Sequence, residues 1–214
     1  MTVIVFGRMN PPHLGHGRLI EKALNHAKGE KIKVFLTQTH DVNNPLNFET
    51  KRNVLKKMYG NRINIEPAKS LFTVIGYNQG ENINLFVGPN RQVAFKQAAN
   101  KYRKNGKMTL INTELKRGKN TGNFLNEVSA TKLRNAIRKN ENFSKFLNRK
   151  VLENKNLINR IVSQVKNPPM SKPKTPKRTP SVKRTPSVNK RTPSPNKRTP
   201  PRRSGRLQTV KPKT

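Results

Sequence analysis

Hydrophobic and polar positions divide the first three quarters of the chain into two kinds of segment. Short apolar runs, several rich in β-branched residues, are typical of strands that are buried on both faces. Such runs predict five strands, at 2–6, 32–37, 61–65, 84–87 and 107–111. Between them, apolar residues recur at helical spacing, as Leu19, Ile20, Ala23 and Leu24 do after the first strand.

The segments with helical spacing lie between the predicted strands and after the last one. They predict helices at 14–27, 48–59, 70–77, 92–103, 131–139, 143–147 and 151–165. Strands that alternate with helices predict crossover connections and a three-layer, Rossmann-like α/β domain with a parallel sheet, here followed by a C-terminal helical segment. Because ligands bind beyond the carboxyl ends of such strands, we expect a site in the turn after the first strand.

The composition changes sharply near residue 166. The whole chain has 46 Lys or Arg against 10 Asp or Glu, which gives a formal charge of +36. Residues 166–214 hold 16 of these basic residues and 11 of the 16 prolines, have no acidic or aromatic residue, and repeat Lys-Arg-Thr-Pro four times. Such a segment cannot bury enough apolar surface to offset its ordering entropy. We therefore predict a folded domain at 1–165 and a disordered basic tail at 166–214.

Two interpretations of the tail stay open. In the first it is an electrostatic arm for nucleic acid or another polyanion, a composition that also fits a nuclear-import signal. In the second it is a solubilising extension with no dedicated partner. Several of its Ser and Thr residues precede Pro, so phosphorylation there would add negative charge and weaken an arm.

The composition also excludes several classes of protein. Because Cys is absent, a disulfide framework, a thiolate zinc site and a cysteine nucleophile are ruled out. No apolar run approaches the ~18 residues of a membrane span, and the run at 1–6 is too short for the apolar core of a signal peptide. We expect an intracellular protein without a membrane partner, cytoplasmic or nuclear, and the high Asn and Lys usage fits a virus-encoded one.

The turn after the first strand carries the densest candidate chemistry. It spans 7–16, reads Gly-Arg-Met-Asn-Pro-Pro-His-Leu-Gly-His, and places His13 and His16 at the start of the first predicted helix. A helix start offers amide donors and positive potential to an anion, and Gly15 leaves room for a phosphate against the backbone. This arrangement predicts a site for phosphate oxygens; the alternative is a pair of incidental surface histidines.

A second motif, Val-Ser-Ala-Thr-Lys-Leu-Arg at 128–134, lies at the start of a late predicted helix. With the His-x-Gly-His of the first turn, it resembles the HxGH nucleotidyltransferase superfamily, which includes cytidylyltransferase-like and nicotinamide-mononucleotide-adenylyltransferase-like enzymes. Asn-Pro-Leu at 44–46, followed by Lys51, and the run 85–91 are similar to members of the phage or large-virus type. The chain departs from the superfamily pattern at Ala130, where Ser is usual, and at Asn90, where Asp is usual.

The resemblance implies a reaction in which a phosphate oxygen of an acceptor attacks the α-phosphorus of ATP or CTP. Pyrophosphate then leaves, and no covalent intermediate forms. By the same resemblance the catalytic residues are His13, His16 and Arg134, with His16 at the α-phosphate and Arg134 at the β- and γ-phosphates. The implied nucleotide-binding residues are Gly7, Arg8, Asn10, Gly15, Ser129, Thr131, Lys51 and Arg91.

The implied cofactor is Mg²⁺, held mainly by the triphosphate. Asp41 is the only Asp in the chain, so a two-metal carboxylate site is not expected and no residue is predicted as a metal ligand. The implied partners are a nucleoside triphosphate and a phosphate-bearing small molecule, with nucleic acid as a further partner of the tail.

Several of these positions also have simpler interpretations. Ser129 is a favourable N-cap residue, Arg134 shares its predicted helix with other basic residues, and Lys51 stands beside Arg52 as a surface residue would. For the whole chain, the alternative is a catalytically inactive nucleotidyltransferase-like protein that binds nucleic acid, which the departures at Asn90 and Ala130 favour.

Overall fold

The computed structural model of the chain describes residues 1–88, 91–102, 106–112 and 127–170. Its strands are β1 Thr2–Gly7, β2 Ile32–Thr37, β3 Ile63–Ala68, β4 Ile83–Val87 and β5 Met108–Asn112. Its helices are α1 Leu14–His26, α2 Phe48–Tyr59, α3 Leu71–Tyr77, α4 Gln92–Tyr102, α5 Ala130–Arg138, α6 Arg149–Leu152 and α7 Lys155–Lys166. Short 3₁₀ turns lie at Gly60–Arg62 and Ser144–Phe146.

The five strands form one parallel sheet in the order β3-β2-β1-β4-β5. The chain builds outward from β1 to β2 and β3 and then returns to add β4 and β5 on the other side. Val5 accordingly pairs with Val34 of β2 and with Phe86 of β4. The carboxyl ends of β1 and β4 therefore flank the point where the strand order reverses, which is where ligand crevices form in such sheets. The predicted Rossmann-like α/β fold is confirmed.

The apolar run of β1 is explained by burial on both of its faces. Successive side chains of a strand point to opposite faces. Val3 and Val5 belong to a core shared with α1, α2 and the C-terminal helices, whereas Ile4 belongs to the core beneath α3 and α4. The sheet is thus the middle layer of three.

The C-terminal helices are part of the first of these cores. Leu157, Ile161 and Val165 recur every four residues along α7 and are all buried. We expected one helix over 151–165, but the structure has a break between α6 and α7. Asn154 causes it, because its side chain accepts a hydrogen bond from the amide of Leu157 at 3.0 Å and so caps a new helix.

Gln164 fixes α7 to the start of α2. Its Oε1 accepts a hydrogen bond from the Asn47 amide at 3.1 Å, and its Nε2 donates to Oγ1 of Thr50 at 3.0 Å. The connection between β2 and α2, which reaches the carboxyl edge of the sheet, is therefore held in part from the C-terminal helices.

Two other predicted elements differ in position or in type, whereas the rest differ by at most one residue at an end. The strand expected at 61–65 is displaced to Ile63–Ala68, because a 3₁₀ turn occupies Gly60–Arg62. The helix expected at 143–147 is the 3₁₀ turn Ser144–Phe146.

The C-terminal end of the described chain lies just beyond α7, which ends at Lys166. The compact unit that contains the sheet is Met1–Pro173. The predicted tail beyond residue 170 lies outside the described residues, so the domain boundary at 165 stays a prediction. Within the described ranges no helix combines the length and apolarity that crossing a membrane requires.

Truncation of Ile161 tests the place of α7 in the core. Ile161 is fully buried, so Ile161→Ala should lower the free energy of unfolding by about 2–5 kcal/mol in urea denaturation. The neighbouring Arg160 is exposed, and Arg160→Ala should change it by no more than about 0.5 kcal/mol. Equal effects of the two substitutions would contradict the packing of α7 described above.

Candidate active site

The turn between β1 and α1 is fixed by Asn10. Nδ2 of Asn10 donates a hydrogen bond to the carbonyl of Leu46 at 2.9 Å, and its Oδ1 accepts one from the amide of Leu46 at 2.9 Å. The side chain is 3% exposed, and the preceding residue, Met9, is buried with a left-handed φ of 43°. The Asn10 amide group, predicted to contact nucleotide, is therefore engaged in joining the turn to the connection 38–47.

His13 is the N-cap residue of α1. Its Nδ1 accepts a hydrogen bond from the amide of Gly15 at 3.0 Å, and the side chain is 2% exposed. A ring nitrogen that accepts carries no proton, so the neutral imidazole holds its proton on Nε2. The helix cap thus sets the tautomer in which Nε2 is a hydrogen-bond donor.

Gly15 is required by the position of this ring. A Cβ atom at Gly15 would lie 2.9 Å from Cε1 of His13, closer than Cβ atoms approach other atoms in proteins, and 3.1 Å from Nδ1, which is tighter than most such contacts. The sequence suggested that the glycine makes room for a phosphate. In the structure, the glycine makes room for the imidazole ring of His13.

His16 lies against His13 in the first turn of α1. The two ring centroids are 3.8 Å apart and the ring planes are inclined by 36°. Both imidazoles thus stand at the positive end of the helix dipole, next to the carboxyl end of β1.

The second motif begins beside this helix start. The position of a Cβ on Gly15 would be 3.7 Å from the carbonyl oxygen of Val128. Ser129 follows as the N-cap of α5, and its Oγ accepts a hydrogen bond from the amide of Lys132 at 3.1 Å. The capping interpretation of Ser129 is thereby confirmed, and the N-termini of α1 and α5 are adjacent.

Arg134 connects the two motifs directly. Its Nη1 donates a hydrogen bond to the carbonyl of Asn10 at 2.6 Å, and its Nη2 donates to Oγ1 of Thr131 at 3.1 Å. Residues 124 positions apart in the sequence are thus in contact. Burial lowers the pKa of Arg134 from its ordinary value, and the nearby positive charges of Arg138 and Arg8 lower it further.

The cluster of Arg8, Arg134 and Arg138 gives this edge of the sheet an excess of positive charge. Arg138 was missed as a site residue by the sequence analysis, although its spacing of four from Arg134 places both on one helix face. Its Nη2 donates a hydrogen bond to the carbonyl of Val42 at 3.2 Å, and its Nε donates to the carbonyl of Val165 at 3.4 Å. Arg138 therefore joins the site to both the connection 38–47 and α7.

Asp41 is the carboxylate of this cluster. Its Oδ1 accepts hydrogen bonds from the amides of Asn43 and Asn44 at 2.8 and 2.9 Å. Burial acts to raise the pKa of Asp41, but these hydrogen bonds, that from the Asn44 side chain and the charge of Arg8 together lower it below its usual value. Within the described ranges, no group of three His, Asp or Glu residues is arranged to hold a metal ion.

Lys51 is not the surface residue that its neighbour Arg52 suggested, because it is fully buried. Its ammonium group donates a hydrogen bond to the carbonyl of Thr37, at the carboxyl end of β2. Burial lowers the pKa of Lys51 to about 8. In the part of the chain that the structure describes, the buried hydroxyl of Thr37 has no hydrogen-bond partner. Lys51 thus lies inside the protein, next to the carboxyl end of β2.

The remaining predicted positions lie along the same edge of the sheet. Gly7 ends β1 and pairs with Leu36 of β2. Arg91 is exposed just beyond β4, and its amide donates a hydrogen bond to the carbonyl of Gly88 at 3.0 Å. Asn90, one of the two departures from the superfamily pattern, lies outside the described residues.

Comparison with solved structures gives the fold a precedent. A Vibrio parahaemolyticus protein assigned as a nicotinate-nucleotide adenylyltransferase superposes with a TM-score of 0.51 and 15% identity, over 77% of this chain and 96% of that protein. Plasmodium falciparum nicotinic acid mononucleotide adenylyltransferase, in complex with NaAD, superposes with a TM-score of 0.50 and 15% identity over 76% and 94%. The chain has the fold of the nucleotide adenylyltransferases.

A third structure with the adenylyltransferase fold belongs to a bifunctional protein. This NMN adenylyltransferase/ADP-ribose pyrophosphatase of Francisella tularensis, in complex with AMP and a manganese ion, superposes with a TM-score of 0.51 and 17% identity. The match covers 78% of this chain and 52% of that protein. No family model and no curated protein sequence matches the chain. The resemblance read from the two motifs is confirmed at the level of the fold.

The burial of Lys51 predicts a pH-dependent stability. In the folded protein its pKa is about 8, against an ordinary value of 10.5, so between these values the unfolded chain binds more protons. The free energy of unfolding should therefore rise with pH across this window, by about 3 kcal/mol at most for this group. Lys51→Met should remove that rise, measured by urea denaturation from below pH 8 to above pH 10.

Arg52→Met is the matched control, because Arg52 lies next in the chain and its side chain is partly exposed. This variant should keep the pH dependence of the unmodified protein. A Lys51→Met protein whose stability follows the same pH curve as the control would show that Lys51 keeps its ordinary pKa.

Proposed function

We propose that the chain is a nucleotidyltransferase that transfers AMP from ATP to a phosphate-bearing acceptor and releases pyrophosphate. The observation that carries the proposal is the hydrogen bond from Arg134 to the carbonyl of Asn10. It joins the start of α5 to the turn that leads into α1, so that two helix N-termini, two imidazoles and a guanidinium group lie at one edge of the sheet. This set of groups suits a polyphosphate.

The proposed reaction forms a bond between an acceptor phosphate oxygen and the α-phosphorus of ATP, and breaks the bond from that phosphorus to the bridging oxygen of pyrophosphate. Charge builds on the phosphate oxygens while the leaving group departs. Catalysis of this kind depends on positioning and on fixed positive charge more than on proton transfer. The site offers both, because its donors are held by the helix cap and by contacts with the backbone.

The histidines are proposed to act at the α-phosphate. The cap formed with Gly15 leaves His13 with its proton on Nε2, where it can be donated to a phosphate oxygen, and His16 lies against it at 3.8 Å between ring centroids. Thr131 and Arg134 are proposed to hold the β- and γ-phosphates from the start of α5. Asn10 serves as a positioning residue, because its side chain is engaged with Leu46.

Arg8 and Arg138 are proposed to face the acceptor phosphate. Both lie close enough to Arg134 to lower its pKa, so the three guanidinium groups form one field that attracts a second anion. Arg8 is exposed directly after β1, where an acceptor would approach.

Adenine is the proposed base, and a mononucleotide of the nicotinate or nicotinamide type is the proposed acceptor class. The adenylyltransferase neighbours support both choices, since their names specify nicotinate-nucleotide, nicotinic acid mononucleotide and NMN as what they adenylylate. CTP is the alternative donor nucleotide.

Magnesium is proposed to enter with the triphosphate and not through protein ligands. The one aspartate, Asp41, uses its carboxylate to hold the connection 38–47, and the described residues offer no group of three or more carboxylates and histidines. Within the described residues, the site therefore lacks the three or more protein ligands that a cage for a cation would need. The manganese ion bound by the Francisella protein is consistent with a divalent cation accompanying the nucleotide.

Adding a side chain at Gly15 tests whether the helix cap orients His13. Gly15→Ala should displace the imidazole and weaken ATP binding about tenfold or more, the value of one hydrogen bond to a charged group. The measurement is the rise in melting temperature on adding ATP. Gly76→Ala is the matched control, since Gly76 lies in α3 with open space around it. If both variants responded to ATP alike, the role given to Gly15 would be wrong.

Pyrophosphate release tests the activity itself. The protein should release pyrophosphate from ATP in the presence of nicotinate or nicotinamide mononucleotide, and His16→Ala should lower kcat by about 10²–10³, as the loss of one oriented oxyanion donor does. His26→Gln is the control, because His26 lies at the other end of α1 and bonds to Asn84. Its kcat should stay unchanged.

Two results would contradict this proposal. If His16→Ala turned over substrate as fast as the unmodified protein, the assignment of the active site to His16 would be wrong. Binding of ATP without turnover by any mononucleotide acceptor, together with tight binding of nucleic acid, would favour the inactive nucleic-acid-binding alternative.

A further inference from the structure

The C-terminal helices expose a dense set of basic side chains outside the candidate active site. Residues 130–166 contain ten Lys or Arg and two acidic residues, Glu141 and Glu153. Nine of the ten basic residues are exposed, and Arg134 alone is partly buried. We call four of these exposed residues, Lys132, Lys139, Lys145 and Lys166, the C-terminal basic surface; Arg138 belongs to the candidate active site.

Part of this surface is a cleft between α5 and the turn that precedes α6. Lys132 on α5 and Lys145 on the turn line a cavity of about 300 Å³, together with the amide side chains of Asn135 and Asn142. Amide side chains offer both donors and acceptors, as the edges of nucleic acid bases do. Two exposed or partly exposed carboxylates form ion pairs here: Glu141, which lines the cleft, lies 3.9 Å from the ammonium group of Lys139, and Glu127 lies 3.6 Å from that of Lys132.

The cleft continues into a basic corner where α5 meets α7. Nζ of Lys166 donates a hydrogen bond to Oδ1 of Asn140 at 2.6 Å, and Arg138 reaches the carbonyl of Val165. Lys139 and Lys166 are therefore at the same corner, next to the residues that line the cleft. The chain beyond this corner is the part with no acidic residue, from Lys166 to the end of the sequence.

The apolar sides of these helices are already used in the core. Leu133 and Ile137 of α5 are buried, as are Leu157, Ile161 and Val165 of α7. An interfacial helix binds a membrane by inserting its apolar face, and these helices have none to insert. The exposed side therefore suits a partner that is recognised through phosphate charge, with the amide groups of Asn135 and Asn142 beside it.

We propose that the C-terminal basic surface binds a nucleic acid strand, with Lys132 and Lys145 contacting phosphates on either side of the cleft. The strand lies along the side of α5 next to the one that carries Thr131 and Arg134. This binding is separate from the proposed transfer reaction and does not depend on it.

The test compares two charge-reversed variants of the full chain. Lys132→Glu/Lys145→Glu changes the cleft. Lys28→Glu/Lys31→Glu changes the net charge by the same amount at exposed residues before β2, at the opposite edge of the sheet. Binding of a fluorescein-labelled single-stranded oligonucleotide is measured by anisotropy at several KCl concentrations. The melting temperature of each variant establishes that it is folded.

The cleft variant should bind at least about tenfold more weakly than the control variant. The slope of its log affinity against log salt concentration should also become shallower, by the equivalent of about one to two phosphate contacts. Lys132→Gln/Lys145→Gln should give an intermediate loss. Equal affinities of the cleft and control variants would overturn the proposal, because the tail or the overall charge would then account for binding. Failure of the unmodified protein to bind the oligonucleotide, or binding only to phosphatidylserine vesicles, would also overturn it.

Discussion

The hydrogen bond between the Arg134 guanidinium group and the Asn10 carbonyl is the contact on which the site depends. It joins the turn before α1 to α5 across 124 residues of sequence. Each partner is held in turn, Asn10 by the backbone of Leu46 and Arg134 by Thr131. Because the contact pairs a partly buried cation with a neutral carbonyl, it does not neutralise the guanidinium charge, which Asp41 offsets only in part.

Much of the fold could be predicted from the sequence because β1 and β4 are buried on both faces and therefore read as continuous apolar runs. The two motifs could also be placed, since each lies at a helix start that follows from local pattern. The break before α7 was missed because Asn154, a capping residue, stands inside an apolar periodicity that continues across it. The start of β3 was also misplaced, because the 3₁₀ turn Gly60–Arg62 occupies the first residues of the predicted strand.

The contacts between distant side chains could not be predicted in this way. The engagement of Asn10 with Leu46 and the burial of Lys51 against Thr37 depend on tertiary packing that leaves no mark on composition or spacing. Arg138 did carry a signal, its spacing of four from Arg134, which makes one face of α5 basic. Helix α5 therefore has three sides with different roles. One is buried in the core, one lies at the proposed phosphate site, and one belongs to the C-terminal basic surface.

The most direct test of this account is a crystal structure of the protein with a non-hydrolysable ATP analogue. The account predicts that one triphosphate lies between the starts of α1 and α5, with phosphate oxygens within hydrogen-bond distance of His16 and of Arg134. A triphosphate that contacts only one of these two side chains, or that binds away from the carboxyl edge of the sheet, would contradict it.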